Sequence, residues 1–464
     1  MVSKICCIGA GYVGGPTMAV IANECPHIKV VVVDQDKKKI KSWNNKSLNE
    51  LPIYEPGLKE LIKNTRNKNL FFSEDIDKAI NDSDMIFMAV NTPTKKTGKG
   101  KGFAADLSSV EACAKRIALK SKSNKIVIEK STLPVRTAEK IKEVLKKFNK
   151  KNDFEVISNP EFLAEGTAIE NLYKSDRVLI GGENSISGKK AVNELVEIYK
   201  NWIPHSKILK TNVWSSELAK LASNAMLAQR ISSINSFSVI CERTGASIQE
   251  MSRAIGMDTR IGPKFLESSV GFGGSCFKKD ILNLVYIARF YNLNEVADYW
   301  HGVVKINSYQ MLRFAKTINN HLKENTNKKV VSILGWAFKK NTNDSRESPS
   351  IYVSTYLLER EVSLKVYDPM VPANRIKSDL KNYFVSNGIK INQVNKLLNN
   401  CVVCNSLKEA IFDSSYVAIL TKWDEFENFN WISHLNNHKC KPFVFDGVNV
   451  TKNKSHNNLY SLGN

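Results

Sequence analysis

The stretch Ile5-Cys6-Cys7-Ile8-Gly9-Ala10-Gly11-Tyr12-Val13-Gly14-Gly15-Pro16, with Val30-Val31-Val32-Val33-Asp34 beyond it, decides how the first part of the chain folds. An apolar run is followed by glycines at the spacing GxGxxG, a helical run from Thr17 to Asn23, a second apolar run and an acid. That is the order strand, turn, helix, strand, carboxylate. Gly9 permits the tight turn, Gly11 lets backbone approach a pyrophosphate, and Gly14 lets helix and strand pack closely. A diphosphate would sit on the helix N-terminus, with Ala10, Tyr12 and Val13 completing the loop around it. Asp34 would accept hydrogen bonds from a ribose diol and repel a 2′-phosphate. The unit therefore reads as a dinucleotide site that takes NAD rather than NADP.

Working outward, Met85 to Val90, Lys125 to Ile128 and Glu155 to Ser158 continue a parallel sheet. Each run ends in polar, turn-prone residues: Asn91-Thr92-Pro93-Thr94, Lys130-Ser131-Thr132-Leu133-Pro134 and Asn159-Pro160-Glu161. In a doubly wound sheet the ligand lies beyond the carboxyl ends of the strands, so these turns should ring the far end of the cofactor. They are also what ordinary strand-to-helix turns look like. Glu161 and Glu165 stand at i and i+4 and would share a helical face, either as solvated charges or as acid/base groups.

Trp214-Ser215-Ser216-Glu217 opens a long helical stretch that runs to about Glu242. It carries Lys220 and Asn224 one turn apart among small and apolar residues, so the lysine is either snorkelling or buried with a role. A further helix over Ser247 to Ile255 precedes Val270-Gly271-Phe272-Gly273-Gly274-Ser275-Cys276-Phe277-Lys278-Lys279-Asp280. Its glycines would let the backbone come close to a ligand. Cys276 precedes the apolar helical run Ile281 to Phe290, where the dipole, Lys278 and Lys279 would favour thiolate. The alternative is a glycine turn with an inert structural cysteine. After the polar hinge Asn327-Lys328-Lys329, runs at Val330 to Leu334, before Tyr367-Asp368, at Tyr416 to Leu420 and at Pro442 to Phe445 read as a second parallel sheet without GxGxxG. The fold class is thus α/β: two Rossmann-like doubly wound parallel-sheet domains joined by a central all-helical domain. The expected domains are 1–213, 214–326 and 327–464.

The composition sets bounds on this reading. A chain of 464 residues, 42% apolar and 24% charged, has the balance of a globular protein of two or three domains. No run approaches a membrane span, and Met1-Val2-Ser3-Lys4 leads straight into the first strand, so neither membrane nor export is expected. Nine scattered cysteines point to reduced thiols and a cytoplasmic location. Cys401-Val402-Val403-Cys404 has no partner pair and lies in a strand-like run, so no metal site is expected. The net charge of +21 is spread along the chain, without aromatic residues set among basic ones. It reads as a solvated lysine-rich surface that would attract phosphate-bearing substrates, with no specific nucleic acid expected.

Four motifs occur in order: Ile8 to Gly14, Asn91 to Thr94, Asn159-Pro160-Glu161-Phe162-Leu163-Ala164-Glu165-Gly166, and Gly271 to Cys276. Together they resemble the UDP-glucose/GDP-mannose dehydrogenase family, and within it the animal-type UDP-glucose 6-dehydrogenases, over nearly the whole chain. The resemblance implies oxidation of a sugar C6 alcohol to a carboxylate with two NAD and one water. It implies that Cys276 is the nucleophile, that Lys220 and Asn224 serve the C6 oxygen, and that Glu161, Thr132 and Asp280 order the hydrolytic water. For the cofactor it implies Lys39, Val90, Asn91, Thr92, Pro93, Thr94, Ser131, Thr132, Leu133, Glu165, Cys276 and Arg346 beside the glycine loop and Asp34. For the UDP-sugar it implies Glu161, Phe162, Leu163, Ala164, Glu165, Lys220, Asn224, Arg260 (supplied by a neighbouring subunit), Phe265, the run Glu267-Ser268-Ser269-Val270-Gly271-Phe272-Gly273, Phe277 and Lys339. It further implies a homodimer through the central helix, hexamers built from it, and a loop around Thr132 that responds to UDP-xylose.

Two positions depart from the family pattern. Asp446-Gly447-Val448-Asn449 has valine where the family carries a substrate-contacting arginine, and Glu267 stands where the animal enzymes are basic. Lys264 and Lys452 are the lysines that sequence offers as compensation. UDP-N-acetylhexosamine and GDP-mannose therefore stay open as alternative substrates, and so does a catalytically weak relative that binds nucleotide sugar or polyanion.

Overall fold

The computed structural model describes residues 2–325, 330–437, 442–451 and 456–464. The chain forms two compact units: Met1–Ser223 with Leu282–Asn292, and Asn224–Ile281 with Leu293–Asn464.

The first unit holds strands β1 (Lys4–Ile8), β2 (Lys29–Val33), β3 (Leu70–Ser73), β4 (Met85–Met88), β5 (Lys125–Glu129), β6 (Phe154–Ser158), β7 (Val178–Gly182) and β8 (Ile208–Asn212). They lie in the order β3-β2-β1-β4-β5-β6-β7-β8. The first six are parallel in the order of a dinucleotide-binding sheet, with the switch point between β1 and β4. Beyond it, β7 meets β6 antiparallel, and β8 runs parallel to β7. Alternation along β1 feeds two apolar layers: Ile5 and Cys7 enter one, Cys6 and Ile8 the other.

The glycine loop is built into this sheet edge. Gly9 has φ 116°, and a Cβ there would stand 2.2 Å from the Ala89 carbonyl oxygen. A Cβ at Gly14 would stand 1.9 Å from the Gly9 carbonyl oxygen, so the helix Gly14–Glu24 packs on the strand end through hydrogen alone. Trp43 is fully buried, stacks on Phe72 with centroids 4.6 Å apart, and donates its indole N–H to the Ala10 carbonyl at 3.0 Å. At Gly11 no heavy atom lies within 4 Å of a built Cβ.

The second unit has a helical part and a sheet. The helix Val213–Thr244 begins in the first unit and continues into the second, followed by Ile248–Gly256 and the 32-residue Asn294–Asn325. The segment expected to be all helical is broken by residues 257–276, which form neither helix nor strand. The sheet comprises β9 (Val330–Leu334), β10 (Ser363–Tyr367), β11 (Cys401–Val403), β12 (Tyr416–Ile419), β13 (Phe443–Asp446) and β14 (Leu459–Ser461). Its order β11-β10-β9-β12-β13-β14, parallel throughout, repeats that of the first sheet. The hinge expected at Asn327-Lys328-Lys329 lies outside the described residues.

The two sheets use the acid after their second strand differently. Asp34 follows β2 and Asp368 follows β10. Asp368 accepts from the backbone of Trp336, Ala337, Met370 and Val371 and from the Trp423 indole. Its oxygens are committed to the protein, which agrees with the missing GxGxxG.

Gly14→Ala should destabilise the first unit by roughly 3 kcal/mol through overpacking against backbone, about 6–12 °C in Tm. Gly11→Ala should leave Tm unchanged while weakening NAD binding in a fluorescence titration. Equal effects of the two substitutions on both readouts would refute this division of labour.

Candidate active site

In the first unit the Asp34 carboxylate accepts from the Ala10 backbone N–H at 2.9 Å, the Asp36 N–H at 3.0 Å and the Lys39 ammonium at 2.9 Å. Burial alone would raise its pKa, but these donors outweigh it and hold the carboxyl below its usual range. An ionised carboxylate beside a loop left open at Gly11 fits the ribose and pyrophosphate of NAD.

The turns after β4 and β5 are stitched together. The Ser131 hydroxyl donates to the Val90 carbonyl at 2.6 Å, and the Thr92 hydroxyl to the Thr132 carbonyl at 3.1 Å. Leu133 is buried, while Thr94 forms an isolated bridge with Ala105. Beyond β6, residues 159–164 form no helix, and the next one is Ala168–Tyr173. The expected shared helical face of Glu161 and Glu165 is therefore absent, because Glu161 turns locally to accept the Leu163 N–H at 2.6 Å. Its other oxygen lies 3.5 Å from the Lys220 ammonium, and both side chains are buried. The Phe162 ring packs beside this pair, with Lys220 Nζ 5.2 Å from its centroid and the Arg177 guanidinium at 3.8 Å. Buried Glu55 fixes the rest of the turn by accepting from Gly166 N–H at 2.7 Å and Ala168 N–H at 3.0 Å.

In the second unit Cys276 stands just before the helix Phe277–Phe290 and its carbonyl accepts the Asp280 N–H at 2.9 Å. Its Sγ lies 3.6 Å from the Ser275 hydroxyl. The flanking lysines do not add an open positive field. Lys278 donates to Glu347 at 2.8 Å and to the Tyr352 hydroxyl at 3.0 Å, and Lys279 pairs with Asp280 at 2.8 Å. The helix start remains as the local positive element. Asn224 donates to the buried Asp280 carboxylate at 2.6 Å.

The strip leading to Cys276 is pinned by side chains. Ser269 N–H donates to Asn235, the Gln310 amide donates to the Ser269 carbonyl, and Asn307 bonds both the N–H and the carbonyl of Phe272. Ser268 and Val270 are buried, and Phe272 meets Phe277 edge-on with centroids 5.6 Å apart. A Cβ at Gly273 would stand 2.6 Å from the Glu347 carbonyl, and one at Gly274 would stand 3.0 Å from the Phe338 ring. The close approach made by these two glycines is thus to the protein itself. Phe265 has φ 63° and is exposed, and Arg260 pairs with Asp258 within its own turn. Lys339 lies over the Phe338 ring, and Arg346 binds both oxygens of Asp344. Val448 packs against the apolar core of the second sheet while Asp446 holds its turn together, so the turn stands without an arginine. Glu267 pairs with Lys422 at 3.0 Å. Lys452 lies outside the described residues.

Sequence reasoning missed three buried polar groups behind the first-unit turns. Lys130 donates to Asn159 at 3.1 Å and to the Tyr199 hydroxyl at 3.2 Å. Glu217 accepts from the backbone of Arg136 at 2.7 Å and Ala138 at 2.8 Å, and so caps the helix Thr137–Phe148 from outside. Fully buried Glu129 faces Glu217. Ionised, its two oxygens would have no donor; protonated, it donates to Glu217. Burial first, then the Glu217 charge, pushes the Glu129 pKa well up. Elsewhere, burial pushes the Cys401 thiol up to about 12. Among the described residues there is no disulfide, no acid, cysteine and histidine group able to hold a metal, and no helix long and apolar enough to cross a membrane.

A GxGxxG loop with an ionised carboxylate beside it is the cofactor-binding part of an NAD-dependent dehydrogenase. The chain belongs to the UDP-glucose/GDP-mannose dehydrogenase family: its NAD binding domain matches residues 3–203, its central domain 214–309 and its UDP binding domain 332–453. The chain is 52% identical to UDP-glucose 6-dehydrogenase of Gallus gallus over 464 residues, which covers 100% of this chain and 92% of the relative. It is 50% identical to UDP-glucose 6-dehydrogenase 1 of Arabidopsis thaliana over 451 residues, 96% of this chain and 93% of that one. A solved UDP-glucose dehydrogenase from Pyrobaculum islandicum has TM-score 0.81 at 28% identity and covers 97% of this chain and 95% of its own. The chain is an NAD-dependent oxidoreductase.

The Glu129 proton has a measurable consequence. With a raised folded-state pKa, its contribution to stability is full below about pH 4.3 and is lost as pH rises from there through the raised value. Glu129→Gln keeps a donor toward Glu217 without a titrating proton. The Tm of the variant minus that of wild type should grow from pH 5 upward. Parallel Tm curves would show that the pair shares no proton.

Proposed function

We propose that the chain oxidises the C6 alcohol of UDP-glucose to UDP-glucuronate, with two NAD⁺ and one water. The observation that carries this reading is the full-length likeness, at 52% identity, to a relative named for that activity. NAD⁺, when bound, supplies the acceptor for the hydride that leaves C6. The residues that would hold it are Gly9 to Gly14, Asp34, Lys39, the turns Val90 to Thr94 and Ser131 to Leu133, Glu165 and Arg346.

The chain's own groups then divide the work. Lys220 exchanges a proton at the C6 oxygen and, with Asn224, stabilises the oxyanion. The Cys276 thiolate adds to the aldehyde carbon to give a thiohemiacetal, which is oxidised to a thioester, so the aldehyde is not released. Glu161, Thr132 and Asp280 order and activate the water that hydrolyses the thioester, and the thiolate leaves. The buried Glu161–Lys220 and Asn224–Asp280 contacts support these roles, since each keeps a reactive group in fixed orientation. Phe162, Leu163, Ala164, Arg260, Phe265, the strip 267–273, Phe277 and Lys339 hold the UDP-sugar.

The division into 1–213, 214–326 and 327–464 belongs to the same proposal, as does a homodimer through the helix Val213–Thr244. Exposed Trp214, Met226, Phe237 and Ile240 on that helix support the dimer. Assembly of dimers into hexamers, feedback by UDP-xylose through the Thr132 loop and a cytoplasmic location complete it.

Purified protein should form two NADH per UDP-glucose consumed; one NADH with free aldehyde would refute the covalent scheme. UDP-N-acetylglucosamine and GDP-mannose should turn over far more slowly, and faster turnover of either would reassign the substrate. Cys276→Ser should lower kcat by roughly 10³-fold or more with UDP-glucose binding retained. Wild-type turnover in that variant would remove Cys276 as nucleophile.

A further inference from the structure

The carboxyl edge of the second sheet lacks the two cations expected from the family pattern, because position 267 is glutamate and position 448 is valine. A UDP-sugar brings a diphosphate with two negative charges, and a lone carboxylate at position 267 would repel it. That carboxylate is not alone: Glu267 Oε2 lies 3.0 Å from Lys422 Nζ. Lys422 follows β12 at the same sheet edge from which Lys339 and Lys340 follow β9 and Val448 follows β13. β12 pairs with both of those strands, and the Gly447 N–H donates to the Ile419 carbonyl at 3.0 Å. Lys422 thus springs from the turn next to the one that holds Val448. The Gly447 carbonyl in turn accepts the Val270 N–H at 2.7 Å, which ties the strip 267–273 to this edge.

The backbone at Lys422 is fixed on both sides. The Thr421 hydroxyl donates to the Ala337 carbonyl at 2.6 Å, and the Trp423 indole donates to Asp368 at 3.1 Å. Only the side chain has freedom. Its partner Glu267 is 81% exposed, so the pair is wetted and weakly held and can be exchanged for a stronger anion. Lys340 has its own partner, Asp424, at 2.7 Å.

We propose that Lys422 is a substrate-positioning residue of this chain, supplying the ammonium that receives the diphosphate of the UDP-sugar in place of basic residues at 267 and 448, with Glu267 holding it aimed until the nucleotide arrives. This rests on the reading of the site as a UDP-sugar site and names the group that compensates for its two departures. The ammonium exchanges an exposed carboxylate for a diphosphate, and Glu267 is released to water.

The test is a charge-swap cycle in the full-length enzyme: wild type, Lys422→Ala, Lys422→Glu and the double variant Glu267→Lys with Lys422→Glu. The readouts are KM for UDP-glucose, kcat, KM for NAD⁺, and calorimetric binding of UDP and of uridine. One charge-assisted contact corresponds to about tenfold in affinity. Lys422→Ala should raise KM for UDP-glucose and weaken UDP binding by about that factor, with kcat, KM for NAD⁺ and uridine binding within about twofold. Lys422→Glu should be worse again, and the double variant should recover most of the loss, since the cation has only crossed the pair. Overturning results are a UDP affinity within twofold of wild type in Lys422→Ala, an equal loss for uridine, or a double variant as poor as Lys422→Glu. UDP binding does not require turnover, so wild-type inactivity on UDP-glucose would count against the proposed function while the UDP arm still decides Lys422.

Discussion

The Asn307 amide bonds both the N–H and the carbonyl of Phe272, at 2.8 and 3.0 Å, and so holds the strip that leads to Cys276. Residues 257–276 have no ladder of their own, yet Leu266, Ser268, Val270 and Phe272 are buried. A buried irregular segment must find a partner for each peptide group outside itself. Asn235, Asn307 and Gln310, all buried on long helices, are those partners. An unpaired buried peptide group costs about 1–3 kcal/mol, so loss of Asn307 would leave two such debts at one residue. With its peptides clamped and its glycines packed on Phe338 and Glu347, the strip is not a flexible loop. It delivers Cys276 to the first turn of a helix at a fixed angle.

Fixed acids do the corresponding work elsewhere. Asp34, Asp368, Asp446 and Glu217 each gather two or more N–H donors, which offset the loss of water around a carboxyl group. Their uses differ because their surroundings differ. Asp34 stands beside a loop with open space at Gly11, while Asp368 is held by one indole N–H and four backbone N–H groups. The six-strand order that the two sheets share therefore puts an acid in two different surroundings, and the difference lies in a few groups at the strand ends.

Much of this was legible in the sequence, where local signals exist. The runs at β1, β2, β4, β5, β6, β9 and β12 are apolar and end in turn residues, and Cys276 sits before an apolar helical period. What escaped lacks such signals. β3 and β14 are four and three residues long, and β7 ends in two glycines. The antiparallel meeting of β6 and β7 is a tertiary choice that no local pattern encodes. The face shared by Glu161 and Glu165 was inferred from a helical spacing, but a carboxylate two residues from an available N–H prefers to close a local turn. Glu129 reads as the polar end of a strand until Glu217, far along the chain, is folded against it. Lys422 is one lysine among many in a chain of net charge +21.

Burial separates the ion pairs into two kinds with two uses. Glu161 and Lys220 are nearly sealed from water, so breaking the pair would strand a charge at a cost of about 3–5 kcal/mol. Such a pair holds geometry and resists exchange. Glu267 and Lys422 are wetted, and an exposed pair of that kind is worth about 0–1 kcal/mol. It resists little, so the Lys422 ammonium can leave Glu267 for a stronger anion. The proposed role of Lys422 rests on that contrast: exchange of one anion for another is easy at a wetted sheet edge and costly in the interior, where a cation is held only together with a buried partner.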